Sequence, residues 1–104
     1  MSVTVTRWQE TKPPDPHALL ERLRATGRNY STWGNGPGDS YAVHAHNYRK
    51  HLVCLSGSIC FTLPQTTETV ELEAGDTLDL PAGVAHSADV GKRGVQCAET
   101  HLPA

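Results

Sequence analysis

Long apolar runs are missing from this sequence, and none approaches the ~20 residues that a membrane-spanning helix needs. Residues 1–7 also lack the apolar stretch of a secretory signal peptide. Cysteine is scarce. It occurs at positions 54, 60 and 97, and no two of these have the C-x-x-C spacing of a redox or metal-binding motif. We therefore expect reduced thiols, a cytoplasmic location and no interaction with membranes.

An excess of charge of one sign is lacking too. The chain has 9 Lys and Arg against 11 Asp and Glu, and the basic residues are scattered among the acidic ones. Without a basic stripe, nucleic acid is a poor candidate as a partner. At 104 residues the sequence predicts one domain. A chain this short buries only about two thirds of its unfolded surface, so we also expect a homodimer.

The N-terminal part, residues 1–28, is predicted to form a strand and a short helix that pack on the rest of the domain. Valines that alternate with polar residues are typical of a strand over residues 2–8. A helix signal follows, with Asp15 as its cap, Pro16 at its first position and Gly27 as its stop.

Residues 29–104 carry a β pattern, in which short runs rich in Val, Thr, Tyr and Ile are separated by Gly and Pro. The predicted strands lie near 29–33, 40–47, 51–56, 58–63, 67–73, 76–80, 85–90 and 94–101. Many short strands with a lone helix favour an all-β sandwich or jelly roll.

Three histidines are placed as metal ligands would be. His44 and His46 are two residues apart on a predicted strand, so both side chains leave the same face, while Tyr41 falls on the opposite one. A third histidine, His86, follows the tight turn at residues 81–83. Neutral imidazole is the commonest protein ligand of zinc, iron, copper and nickel. On its own, the H-x-H pair is equally compatible with two surface histidines.

Both histidine segments match a known pair of motifs. Residues 38–46 fit G-x5-H-x-H, and residues 75–86 fit G-x5-P-x-G-x2-H. In this order and spacing the sequence resembles the cupin superfamily over nearly half of its length. The resemblance implies a small single-domain cupin, built as a jelly-roll β-barrel with a short N-terminal helix. It assigns a divalent transition metal (Fe, Zn, Ni or Mn) to His44, His46 and His86 at the mouth of the barrel.

One position departs from the family pattern. Cupins commonly carry a glutamate ligand after H-x-H, but Lys50 stands at that position here, followed by His51. An ammonium group repels a divalent cation. Three alternatives stay open: a three-histidine site with Lys50 turned to solvent or to a bound anion, a four-histidine site that a bulge completes with His51, and a metal-free site that binds an organic ligand. Glu99 is a candidate partner for one of the imidazoles.

A centre with three neutral ligands suggests several functions. It leaves a position open for water or substrate, as catalytic metal sites do. It also leaves the charge of the metal uncompensated, which favours a small anionic ligand. The resemblance to three-histidine thiol dioxygenases implies an Fe(II)-dependent dioxygenase that acts on an anionic or thiol substrate. The alternatives are a non-catalytic module that binds a sugar or organic acid, and a metal-independent isomerase with Tyr30 or Tyr41 as its acid.

Overall fold

The computed structural model describes residues 3–103, which form seven strands and one helix. In chain order these are β1 (Thr4–Thr6), α1 (Pro16–Arg24), β2 (Ser31–Asn35), β3 (Ser40–His44), β4 (Arg49–Leu63), β5 (Glu68–Glu73), β6 (Thr77–Leu80) and β7 (His86–Leu102). The predicted first strand began at residue 2, which lies outside the described residues. Within the described range, no helix has the length and apolar character needed to span a membrane.

The two longest strands, β4 and β7, bend without ending. The sequence predicted a break at Gly57 and another at residues 91–94, and hence two strands in place of each. Gly57 and Gly94 have φ values of +75° and +76°, a conformation that turns a strand sharply and that glycine adopts without strain. A Cβ on Gly57 would lie 2.0 Å from the carbonyl oxygen of Gly94. The predicted breaks were wrong because the two glycines pack closely against each other and allow β4 and β7 to bend sharply. Each strand therefore continues through the bend as one strand.

Strand β4 forms the middle of an antiparallel sheet that closes around an apolar interior. It pairs with β7 along most of its length, with β6 through residues 50–53 and with β5 through residues 58–63. Strand β7 in turn pairs with β2 and β3. Leu52, Ile59 and Leu72 lie inside the barrel and are at most 1% exposed. The predicted all-β class and jelly-roll architecture are confirmed.

The N-terminal segment covers the outside of this sheet. Strand β1 pairs antiparallel with β6. Helix α1 begins after Asp15, whose side chain accepts a hydrogen bond from the backbone N–H of His17, as the predicted cap requires. Leu19 and Leu23 on the helix are buried against the face of β4 that carries Val53. The opposite face of β4 is therefore the one that looks into the barrel.

Candidate metal centre

Three histidine rings meet at one end of the barrel. His44 ends β3 and lies directly across from His86, the first residue of β7. His46 follows His44 by two residues, and a ring nitrogen of each histidine lies within 4.8 Å of those of the other two. The ring centroid of His44 is 4.4 Å from that of His86 and 4.8 Å from that of His46. The structure thus brings together the three residues that the two motifs single out.

A backbone contact joins the two motif segments. Strand β3 ends at His44, whereas the sequence predicted a strand as far as residue 47. His46 is held instead by its carbonyl oxygen, which accepts a hydrogen bond of 2.8 Å from the backbone N–H of Gly83. Gly83 has a φ of +82°, so glycine is needed to form the turn that presents this N–H. The glycine of the second motif therefore positions a histidine of the first.

A bulge in β3 changes which side chains share a face. Tyr41 pairs with Ala88 and His44 pairs with His86, so three residues of β3 advance against two of β7. Tyr41 consequently lines the same cavity as His44, and its ring meets that of Trp33 edge-on at a centroid distance of 6.0 Å. The expectation that Tyr41 lies opposite His44 was wrong because strict alternation fails across a bulge.

Backbone hydrogen bonds determine which nitrogen carries the proton in two of the neutral rings. Nδ1 of His44 lies 2.8 Å from the carbonyl oxygen of Ala42, and Nδ1 of His86 lies 3.0 Å from that of Val84. Since a carbonyl oxygen only accepts, each Nδ1 carries the proton in the neutral ring, and each Nε2 keeps its lone pair. Metal-binding histidines are commonly oriented in this way, with the second nitrogen held by an outer partner.

The third ring, that of His46, supplies a nitrogen without a protein partner. Its Nε2 is buried, and residues 3–103 provide no hydrogen bond to it. Such an arrangement costs free energy unless a ligand or a water in the cavity satisfies the nitrogen. Burial, together with the charge of Lys50, lowers the pKa of His46 to about 4, and burial also lowers the pKa of His86. Both rings are neutral at pH 7, and the three imidazoles fit an iron, zinc, nickel or manganese ion.

Lys50 extends into the same cavity and is paired with a carboxylate of the protein. Its Nζ lies 3.3 Å from Oε1 of Glu99, and the two side chains are only 12% and 11% exposed. Glu99 also accepts a hydrogen bond of 2.6 Å from Nε1 of Trp33 and contacts the ring of His101. From the sequence, the predicted partner of Lys50 was solvent or a bound anion. In the structure its partner is Glu99 of the neighbouring strand β7. Glu99 thereby balances an ammonium group that would otherwise stand alone beside the three rings.

His51 lies on the other face of β4. From Arg49 to Cys54 the strand pairs residue by residue with β7, so alternation is kept and Lys50 and His51 point to opposite sides. The side chain of His51 lines a groove beneath α1 together with Arg22. The bulge that the four-histidine alternative required is therefore not formed in this segment.

The three histidines and Lys50 line one cavity of about 260 Å³. Its walls are formed by Trp33, Tyr41, His44, His46, Tyr48, Lys50, Ile59, Phe61, His86, Ala88 and Glu99. Sequence reasoning considered Glu99 only as a partner of an imidazole and missed its place beside Lys50. Alternation along the last strand could have placed Glu99 inside the barrel, because Cys97 and Glu99 share a face and Cys97 is buried, but it does not identify Lys50 as the partner.

Known structures resemble this chain in fold. No protein-family model matches the sequence, and no curated protein sequence matches it. A DUF861 family protein from Thermotoga maritima superposes with a TM-score of 0.70 at 14% identity, over 97% of this chain and 100% of its own. An RmlC-like cupin from Shewanella frigidimarina has a TM-score of 0.62 at 24% identity, over 72% of this chain and 65% of its own. A structure from a study of DMSP lyases has a TM-score of 0.61 at 25% identity, over 72% of this chain and 37% of its own. The predicted resemblance to cupins is confirmed for the fold.

Proposed function

We propose that this chain of cupin fold is a metal-dependent enzyme that acts on a small anionic molecule. Its most concrete form is an Fe(II)-dependent dioxygenase with an anionic or thiol substrate. The observation that carries the proposal is the buried Nε2 of His46, which has no hydrogen-bond partner within residues 3–103 and lies beside two rings that each keep an Nε2 lone pair. Three such nitrogens at the mouth of a barrel form an open ligand set.

The metal-binding and charged residues of the cavity each have a role in this proposal. His44, His46 and His86 hold the ion. A bound divalent ion supplies a Lewis-acidic position and, when it is iron, electrons for dioxygen chemistry. Lys50 attracts the anionic end of the substrate, and Glu99 fixes the position of the ammonium group. Ile59, Phe61 and Ala88, all buried, form the apolar part of the wall on which the substrate would pack.

The size of the cavity suits a small substrate. One water occupies roughly 30 Å³ in the liquid, so a cavity of about 260 Å³ holds roughly ten non-hydrogen atoms. A short carboxylic acid or thiol acid fits this volume. That a structure from a study of DMSP lyases shares the fold supports an enzyme, although a fold alone does not name a reaction. The expected homodimer and cytoplasmic location stay predictions.

Oxygen uptake tests the proposed reaction. Protein loaded with Fe(II) is expected to consume dioxygen when a small thiol carboxylate is added, as measured with an oxygen electrode. Protein loaded with zinc should consume none, because zinc has no redox chemistry. His46→Ala protein treated in the same way is the second control. If the iron-loaded protein binds small acids tightly but never consumes dioxygen with them, the dioxygenase proposal fails and a non-catalytic binding module takes its place.

Anion binding tests the role of Lys50. We expect Lys50→Met to weaken the binding of small carboxylates to the metal-loaded protein by about 10-fold or more, since a charge-assisted hydrogen bond in a shielded cavity contributes ~1.5–3 kcal/mol. Isothermal titration calorimetry measures the change. Lys92→Met is the matched control, because Lys92 lies in a separate surface groove beside Ser58 and Gly91. Equal affinity of the wild type and Lys50→Met would remove Lys50 from ligand recognition.

A further inference from the structure

Cys54 on β4 and Cys97 on β7 face each other inside the barrel. They are directly opposite in the strand register, and both are 0% exposed. The backbone N–H of Cys54 donates to the carbonyl oxygen of Asp76 at 3.0 Å, and its carbonyl oxygen accepts from the N–H of Gly75 at 2.8 Å. Both backbone groups of Cys54 therefore point away from β7. The two cysteines form a non-hydrogen-bonded pair of the antiparallel ladder.

This kind of pair suits a covalent bond between the side chains. Non-hydrogen-bonded partners have Cα atoms about 4.5 Å apart, within the range of about 4.4–6.8 Å that a disulfide spans. The interaction between the two thiols lowers the pKa of Cys54 and raises that of Cys97. Together with the strand register, this places the two sulfur atoms next to each other.

We propose that Cys54 and Cys97 form a reversible cross-strand disulfide when hydrogen peroxide reaches the barrel core. The sulfur of one cysteine attacks an oxygen of the peroxide, the O–O bond breaks, and a sulfenic acid forms with release of one water. The sulfur of the other cysteine then attacks the sulfenic sulfur, forms the S–S bond and releases the second water. The two thiols lose two electrons and two protons, and the peroxide takes up both. Hydrogen peroxide is nearly as small as water, so it suits a thiol pair that larger oxidants cannot reach.

The bond would join the two strands beneath the cavity. Cys97 and Glu99 share the inward face of β7, and Lys50 lies on the inward face of β4 with Cys54. A disulfide there would clamp together the strands that carry the Lys50–Glu99 ion pair. The inference is independent of the proposed function, because it involves none of the three histidines.

Cys60→Ser protein tests the inference without disturbing the core, because Cys60 is only partly buried and the variant keeps Cys54 and Cys97 as its cysteines. After hydrogen peroxide treatment we expect its intact mass to fall by two hydrogens and its denatured form to show no free thiol. Dithiothreitol should restore both thiols. The oxidised form should melt ~10 °C higher, because the bond closes the long loop between the two residues.

A second variant distinguishes the disulfide from other oxidation. Cys60→Ser combined with Cys97→Ser lacks one thiol of the pair, so oxidation of Cys54 should add oxygen without the loss of two hydrogens. If Cys60→Ser protein keeps two free thiols, or is oxidised to sulfinic acid or to linked dimers instead, the inference is overturned.

Discussion

Replacing His46 with alanine is expected to strip the protein of its metal while leaving the metal-free protein as stable as before or more stable. Purified wild-type protein should carry about one first-row transition metal ion per chain, and His46→Ala less than about a tenth of that. Loss of an outer partner of a metal ligand already costs about 10–100-fold in affinity, and loss of a ligand itself costs more. Inductively coupled plasma mass spectrometry after dialysis measures the content.

The stability of the metal-free His46→Ala protein distinguishes a metal ligand from a structural histidine. The substitution removes a buried nitrogen that has no hydrogen bond within residues 3–103, so the free energy of unfolding of the metal-free protein should stay level or rise by about 1 kcal/mol. A purely structural histidine would behave in the opposite way. His51→Ala is the matched control, since His51 lies beneath α1, and it should keep its metal. Metal loss in His51→Ala equal to that in His46→Ala would contradict the three-histidine centre.

We expect Glu99→Gln to lower the free energy of unfolding at pH 7 by about 3 kcal/mol, because it leaves the shielded ammonium of Lys50 without its counter-charge. The new amide keeps the size of the side chain and an oxygen that can accept from the indole N–H of Trp33. The loss of stability therefore measures the effect of removing the negative charge. Urea denaturation followed by circular dichroism measures it. The double variant Lys50→Met, Glu99→Gln should recover most of the stability, because replacing both members of a buried pair is often neutral.

The effect of Glu99→Gln should depend on pH in a defined direction. Burial acts to raise the pKa of Glu99, but the contacts with His101, Lys50 and Trp33 lower it below its usual value. A carboxylate whose folded pKa is depressed stabilises the fold above its unfolded pKa, about 4.3. That contribution is lost as the pH falls through the folded pKa, so the gap between wild type and variant should close in acid. A gap that persists unchanged at pH 3 would mean that the charge of Glu99 is not its cause. Glu21→Gln, which breaks an exposed pair with Arg24, should change little at either pH.

Local patterns in the sequence were sufficient to predict the all-β class, and the resemblance to cupins predicted the barrel and the meeting of the three histidines. Glycine and proline at fixed spacing mark the turns that place His46 and His86, and alternation marks the strands between them. The cap of α1 at Asp15 was predictable for the same reason, since a helix start is encoded within a few residues.

Features that depend on contacts between strands could not be predicted in this way. The bulge in β3 that brings Tyr41 into the cavity is a mismatch between two strands, and neither strand carries it alone. The partner of Lys50 is a residue of β7, and choosing it required the register between β4 and β7. Gly57 looked like the end of a strand because a corner within a strand and a turn between strands use the same residue.

Because His44 and His86 lie on strands far apart in the chain, the metal centre can assemble only after β3 has paired with β7. Pairings between distant segments form slowly, since the intervening chain must be ordered before the contact stabilises it. In the metal-dependent protein proposed above, a bound ion is therefore expected to add little to the rate at which the chain reaches its native state. We expect it to act on the reverse step, because interactions that are absent from the folding transition state slow unfolding. The metal-loaded protein should then fold no faster than the metal-free one but unfold more slowly.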